Sequence, residues 1–377
     1  MKALITAYAR TPFHFARKGA LAQVRPDTLA AELIRSLVQR TGIDPATLED
    51  VIAGCAYPEG AQGNNIARIA SLLAGLPHGV SGMTVNRFCG SSMSAVHIAA
   101  AQIEAGLGEA YLCLGVESMT LVPQGGLTFS PHPVLFEQTD AYIAMGETAE
   151  NVAERYAVSR TDLEQLAFES HRKAAAAREA GLLRSEIVPI ALPDGQVVAE
   201  DGCIRPATSL EALAGLKPAF REAGSVTAGT SSPLTDGAAA VLVTSEAYAA
   251  RHGLQPLARI VAMATAGVDP AFMGLGPIPA SRKALARAGL AAADMDVVEI
   301  NEAFASQALA CIRELGLRPE AINLDGGGLA IGHPLGATGA RITGKAAALL
   351  QRQGGRYALA TQCIGGGQGI ATVLQAL

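Results

Sequence analysis

The chain has 377 residues, with 29 Lys and Arg against 34 Asp and Glu, a formal net charge of −5 that argues against a nucleic-acid binder. Hydrophobic residues make up 50% and charged ones 17%, a balance that suits a large buried core and excludes a mainly disordered chain. Trp is absent and aromatics are only 4%, and no apolar run reaches the roughly 20 residues of a membrane helix, so base-stacking platforms and membrane spans both fall away.

In chain order, Met1 to Arg10 is too short and broken for a signal peptide and reads as a first β-strand. Short β-like runs, Asp50 to Ala53 and Ala110 to Leu114, alternate with Ala-rich helical stretches such as Thr28 to Arg40. That rhythm predicts α/β layers around mostly parallel, buried strands. From Ser118 to Phe220 it breaks: Pro123, Gly125, Gly126, Pro131 and Pro133 open a stretch that turns charged and helical from Thr148 to Ala180. This stretch reads as an insertion. The resulting division is 1–117 for a first core half, 118–225 for an inserted loop domain, 226–255 for the return to the first half and 256–377 for a second half.

The two halves repeat one another. Gly42 to Val51 matches Gly289 to Val298 at an offset of 289 − 42 = 247, each copy a helix ending in Gly, a short turn and a strand. Some 45 residues later each half is expected to carry a strand, a tight turn of small residues and a helix, at Val85 to Ser92 and at Gly328 to Gly336. A duplicated core of this kind sets Cys89 and His333 near a pseudo-twofold axis.

The six cysteines, Cys55, Cys89, Cys113, Cys203, Cys311 and Cys363, form no C-x-x-C pair and lack His partners at zinc spacing, which favours a cytoplasmic location and no metal. Cys55, Cys113 and Cys311 sit in apolar runs and read as buried structural thiols. Cys89 lies between a strand and a helix start, where amide dipoles and a nearby imidazole are expected to lower its pKa. Asn301 and Glu302 follow the apolar strand Val297 to Ile300, at a strand's carboxyl end, where α/β folds build their sites. His333 stands in a glycine-rich loop from Gly326 to Gly339, and Cys363 precedes a run of glycines whose amides suit an anion. His97, His132 and the charged run Glu147 to Arg155 read as structural or solvated positions. Gly339 to Ala346 falls short of a phosphate-binding loop because Ala346 lacks the required hydroxyl.

Taken together, Val85 to Cys89, Asn301 to Ala305, Gly332 to Pro334 and Cys363 to Gly367 resemble the thiolase family, in that order and along the whole chain. Met145 to Ala153 and Ser232 to Ala240 are similar to further thiolase segments. The resemblance implies a duplicated five-layer α-β-α-β-α core with an inserted loop domain. It also implies an acyltransferase that cleaves 3-ketoacyl-CoA with CoA, in fatty acid β-oxidation. Cys89 then corresponds to the nucleophile, His333 to the group that activates it and Cys363 to the second acid/base thiol. Asn301 holds a water, and the backbone amides of Cys89 and Gly365 stabilise oxyanions. Coenzyme A enters as a substrate, with no resident cofactor. Ser232 is implied at the pantetheine arm, Arg205 near the nucleotide, and Met145, Phe220, Met273 and Phe304 around the pocket.

Ala144 stands where many short-chain acetoacetyl-CoA thiolases carry histidine, and the segment from Glu117 to Met145 looks short for a tetramer-forming excursion. The chain is therefore expected to be a broad-range degradative enzyme and a homodimer, with a tetramer and a hydratase–dehydrogenase partner left open. The alternatives are an acetoacetyl-CoA thiolase running a biosynthetic Claisen condensation, a ketoacyl-synthase-type condensing enzyme, and a non-catalytic thiolase-like carrier of CoA or lipid. Cys363 argues against the second, and the intact set of four residues against the third.

Overall fold

The computed structural model describes residues 2–377. Its strands are β1 (Ala3–Arg10), β2 (His14–Phe15), β3 (Asp50–Gly54), β4 (Ser81–Val85), β5 (Ala110–Ser118), β6 (Ile190–Ala191), β7 (Val197–Val198), β8 (Thr235–Ser245), β9 (Ala258–Gly267), β10 (Val297–Ile300), β11 (Tyr357–Ile364) and β12 (Gln368–Gln375). The helices are α1 (Pro26–Thr41), α2 (Ile66–Leu73), α3 (Ser91–Glu104), α4 (Pro133–Gln138), α5 (Met145–Arg155), α6 (Arg160–Glu179), α7 (Leu210–Ala214), α8 (Glu246–Arg251), α9 (Pro277–Ala288), α10 (Ala305–Leu315), α11 (Gly328–Ile331) and α12 (Thr338–Gln353).

The duplication is visible in the strand ladders. The first half runs β4-β3-β5-β8-β1 and the second β10-β11-β12-β9, and among the described residues the two meet edge to edge where Leu4 and Ile5 pair with Arg259 and Ala258. In the first half β3 pairs β5 in parallel from Asp50↔Tyr111 to Gly54↔Gly115; in the second β10 pairs β11 from Val297↔Ala358 to Ile300↔Thr361. Both registers coincide after a shift of 247 residues. Helices α1 and α9 both end at a left-handed glycine, Gly42 at φ 66° and Gly289 at φ 68°, a conformation that a Cβ would strain.

Layering follows from side-chain alternation along strands buried on both faces. Val51 and Ala53 of β3, with Leu112 and Leu114 of β5, pack under α1 and α2. Ile52, Tyr111 and Cys113 point the other way, into a central layer with Met93, Val96 and Ala99 of α3 and Ile342, Ala346 and Leu350 of α12. The outer face of the second half buries Val298, Ile300 and Leu359 against Ile278 and Ala284 of α9 and Ala310 and Cys311 of α10. The order is helices, sheet, helices, sheet, helices, with α3 and α12 at the centre.

Between β5 and β8 the chain forms α4 to α7 and the two-stranded β6–β7 ladder. Two details differ from the sequence expectation. The charged stretch is two helices, because Ala157 turns to φ 47° and Ser159 caps α6 by accepting the Asp162 N–H. The segment before His333 holds the one-turn helix α11, and the second half's counterpart of β4 is reduced to a single parallel bridge, Val298↔Ile322.

Candidate active site

Cys89 lies in a tight turn, Phe88 to Gly90, between β4 and α3. Phe88 is held at φ 44°, a costly backbone conformation for a bulky residue, and its N–H is fixed by the Asn86 Oδ1 at 2.8 Å. The backbone N–H groups of Gly365 and of Cys89 itself favour a negative charge on the Cys89 sulfur. The expected lowering of the thiol pKa is not what the structure provides. Burial outweighs both N–H bonds and pushes Cys89 up to about 11, because a thiolate there loses more hydration than two amides return.

The second thiol, Cys363, is buried at the end of β11, near enough to Cys89 that a negative charge on either opposes one on the other. It shares an apolar cluster with Met145, Met273, Phe304 and Leu329. Phe220 is partly exposed, with its ring against Gly146 and 6.0 Å from that of Phe304.

His333 is buried, and its hydrogen bonds define its tautomer. Thr338 donates its hydroxyl proton to the Pro334 carbonyl at 3.0 Å, so at 2.6 Å it accepts from His333 Nδ1–H. The lone pair therefore sits on Nε2, where Asn301 Nδ2 donates at 3.3 Å. Burial, with Arg341 nearby, drives the imidazole down to about 3 and keeps it neutral. Asn301 Oδ1 is buried with no partner among the described residues, an acceptor left for a water or substrate donor. Gly332, at φ 110°, turns the chain so that the His333 N–H reaches Thr235 Oγ1 at 3.1 Å.

Three polar residues that sequence reasoning missed hold these loops together. Glu117, wholly buried at the end of β5, accepts N–H bonds from Ala56 at 2.8 Å, Tyr57 at 3.2 Å and Gly336 at 2.8 Å, plus Gln62 Nε2 at 2.9 Å. It ties the His333 loop to the first half, although burial pushes its carboxyl above the usual range. Gln362 donates from Nε2 to the Cys89 carbonyl, binding the nucleophile turn to β11. Thr338 is the third. A carboxylate ending an apolar strand, and an amide inside another, were the available signals. Glu302, next to Asn301, accepts from Ser170 Oγ, Asn323 Nδ2 and the Leu329 N–H, fixing α11 below the His333 loop.

The candidate CoA contacts sit on the side of the inserted segment. Ser232 is half-buried and donates its N–H to the Ala303 carbonyl at 2.9 Å, beside the Ser231↔Phe304 bridge. Arg205 is exposed, with its guanidinium 5.2 Å from the Phe15 ring centroid, in a cleft shared with His171, Cys203, Ser231 and Pro233. The run Glu147 to Arg155 is less solvated than expected, since Glu150 is buried and accepts the N–H groups of Ser225 and Val226, each at 2.9 Å. His97 is a partly buried structural residue bonded to Thr372 Oγ1 at 2.8 Å. No helix among the described residues is long and apolar enough to cross a membrane.

Comparison with known proteins decides the family. Residues 3–247 match the model of the thiolase N-terminal domain and residues 254–376 that of the thiolase C-terminal domain. The chain belongs to the thiolase family. Among its relatives, the 3-oxoadipyl-CoA/3-oxo-5,6-dehydrosuberyl-CoA thiolase of Escherichia coli K12 is 49% identical, over 95% of each chain. The 3-ketoacyl-CoA thiolase of Saccharophagus degradans is 47% identical, covering 99% of this chain and 97% of its own. The crystal structure of the Bacillus anthracis acetyl-CoA acetyltransferase superposes with a TM-score of 0.92 at 41% identity, over 100% of this chain and 99% of that one. This thiolase-family chain thus shares fold and length with acyltransferases from end to end.

Proposed function

We propose that the protein cleaves 3-ketoacyl-CoA with CoA, releasing acetyl-CoA and a shortened acyl-CoA, as a degradative thiolase of β-oxidation. The observation that carries this reading is the neighbourhood of two thiols, Cys89 and Cys363, at a turn whose Cys89 and Gly365 N–H groups favour negative charge on the Cys89 sulfur. The same reading draws on the neutral imidazole of His333, whose Nε2 lone pair accepts from Asn301 Nδ2.

A neutral thiol and a neutral imidazole mean that the Cys89 proton passes to His333 Nε2 as the C–S bond forms, not before. Attack on the 3-keto carbon puts negative charge on its oxygen, within reach of preorganised donors. Collapse breaks the C2–C3 bond and leaves an acyl group on Cys89 and the enolate of acetyl-CoA. Cys363 gives its proton to C2 of that enolate. The Cys363 thiolate then takes the proton of an incoming CoA thiol, whose sulfur attacks the acyl carbonyl. Cys89 departs and recovers its proton from His333. No metal or resident cofactor enters these steps. Ser232 and Arg205 are assigned to the pantetheine arm and nucleotide, in keeping with their position beside the 301–304 loop and the cleft next to it.

Ala144, at the N-cap of α5, is exposed and offers no polar side chain to the acyl group, which favours a range beyond four carbons. A homodimer acting in the cytoplasm belongs to the same reading, as does the division into 1–117 and 226–255, 118–225, and 256–377. The direct test is incubation with a 3-ketoacyl-CoA followed by peptide mass spectrometry. An acyl adduct on Cys89 is expected; an adduct on another residue would overturn the assignment.

A further inference from the structure

Most arginines of this chain face a carboxylate, as Arg25 faces Asp27 at 2.6 Å and Arg313 faces Asp162 at 2.7 Å. Three around the turn that follows α6 do not. Arg178, partly buried in the last turn of α6, and Arg184, exposed beyond it, have guanidinium groups with no partner among the described residues. Arg40, at the end of α1, donates to the carbonyls of Ser185 at 2.9 Å and Ile187 at 3.0 Å, and has no carboxylate partner.

Arg178 and Arg184 line a cleft of about 330 Å³, at the lower end of the ~300–1,000 Å³ of small-molecule sites. Leu183, Ile187, Pro189 and Ala199 give it an apolar wall, and the first two belong to the buried group around Phe13 and Ala177. The wall is held in place on both sides. The Arg10 N–H is bonded to the Glu186 carbonyl at 2.8 Å and the Val188 N–H to the Arg10 carbonyl at 2.7 Å. Across the cleft, the Gly202 N–H reaches the Phe13 carbonyl at 2.9 Å, and His14 Nε2 donates to the Glu200 carbonyl at 2.9 Å. None of these lining residues belongs to the cleft of Arg205.

The buried acids beside the cleft are already matched. Glu186 accepts from Arg10 Nε and Lys345 Nζ, each at 2.7 Å. Asp201 accepts from both terminal nitrogens of Arg10, at 2.6 and 2.8 Å, and from the Phe13 N–H at 2.8 Å. Of the acids lining the cleft, only the exposed Glu200 lacks a cation, so the place is electropositive in a chain whose net charge is −5. Two free guanidinium forks above an apolar floor match an anionic group on an aliphatic body.

We propose that this cleft is a second ligand site, for a small amphipathic anion: a carboxylate or phosphate group held by Arg178 and Arg184, with a short aliphatic chain along Leu183, Ile187 and Ala199. The site stands apart from the proposed catalysis and does not depend on it.

The test is isothermal titration of the full-length protein, with CoA present in excess to fill the candidate active site. The probes are octanoate, octyl phosphate, 1-octanol and inorganic phosphate. Octanoate or octyl phosphate should bind at one site, and whichever binds more tightly names the anionic group. 1-Octanol, without charge, and inorganic phosphate, without a chain, should each bind at least about tenfold more weakly. The double variant Arg178→Gln/Arg184→Gln should weaken the octyl anions by about tenfold or more, with its circular dichroism spectrum and its turnover of acetoacetyl-CoA unchanged. Ala199→Asp, which puts a negative charge on the apolar wall, should weaken them as well. Undetectable binding of both octyl anions at millimolar concentration overturns the proposal, as does affinity that survives the double variant. Inorganic phosphate binding as tightly as octyl phosphate overturns the amphipathic ligand class.

Discussion

The two halves of the core share one ladder and differ in what stands at its ends. Cys89 in the first half corresponds to Gly336 in the second, Gly54 to Asn301, and Gly115 to Gln362, each pair 247 positions apart. In the second half Gln362 donates to the Cys89 carbonyl across the central layer. At the matching place in the first half, Gly115 has no side chain, and the Gly336 carbonyl oxygen fills the space where a Cβ would be. One half therefore offers the nucleophile on a turn with glycines behind it, and the other supplies the Gly365 N–H, the side-chain amides of Asn301 and Gln362, the imidazole and the second thiol. A symmetric scaffold carries one asymmetric site, because substitutions at a few strand ends broke the repeat without disturbing its register.

The comparison can be broken first at the nucleophile. Cys89→Ser should lower thiolysis by at least about a thousandfold with the circular dichroism spectrum unchanged, and residual activity above about a tenth would move the nucleophile elsewhere. The titration of the same thiol sharpens the point. With Cys89 at about 11 and His333 at about 3, alkylation by iodoacetamide should rise about tenfold per pH unit from 7 to 10, because only the thiolate fraction reacts. A plateau beginning near pH 7 would mean that the anion is stabilised far beyond the two amides seen here.

On the other half, Cys363→Ser should cut carbon–carbon cleavage by about a hundredfold or more while acylation of Cys89 by a simple acyl-CoA falls far less. Equal, small losses in both would reduce Cys363 to packing. Gly115→Ala tests the reciprocity directly: the methyl group collides with the Gly336 carbonyl, so urea unfolding should show a loss of ~1–3 kcal/mol. An unchanged midpoint would mean that the two halves are not in such close contact there. The smallest effect is expected from Thr338→Val, which removes the acceptor that fixes His333 Nδ1–H. A fall of about tenfold in kcat with KM nearly constant is expected, and a changed KM with unaltered kcat would contradict a tautomer role.

Much of this was legible in the chain. Strands such as Asp50 to Gly54 and helices such as Pro26 to Thr41 follow local periodicity, and the Gly42 and Gly289 helix ends announced the repeat. Cys89, Asn301, His333 and Cys363 stand out because each reactive residue borders a strand end or a glycine-rich loop. Thr338, Glu117 and Gln362 did not, because their roles exist only across contacts spanning tens to hundreds of residues, apart from Thr338, whose hydroxyl looks like an ordinary helix-start residue. The direction of the Cys89 pKa was misread for a related reason. A helix start is visible in sequence, whereas the burial that outweighs it exists only once distant segments have packed around the turn.

The pairing of β1 with β8, from Ala3↔Ser245 to Arg10↔Ala239, also bears on how the protein is made. Strand β1 has its partner more than two hundred residues further along the chain, and at about 5–20 residues per second that partner emerges from the ribosome tens of seconds later at the slower rates. Until then an apolar segment waits without its neighbours, open to aggregation and to chaperone capture. A permuted version with β1 following β8 shortens that closure and should reach its native state sooner.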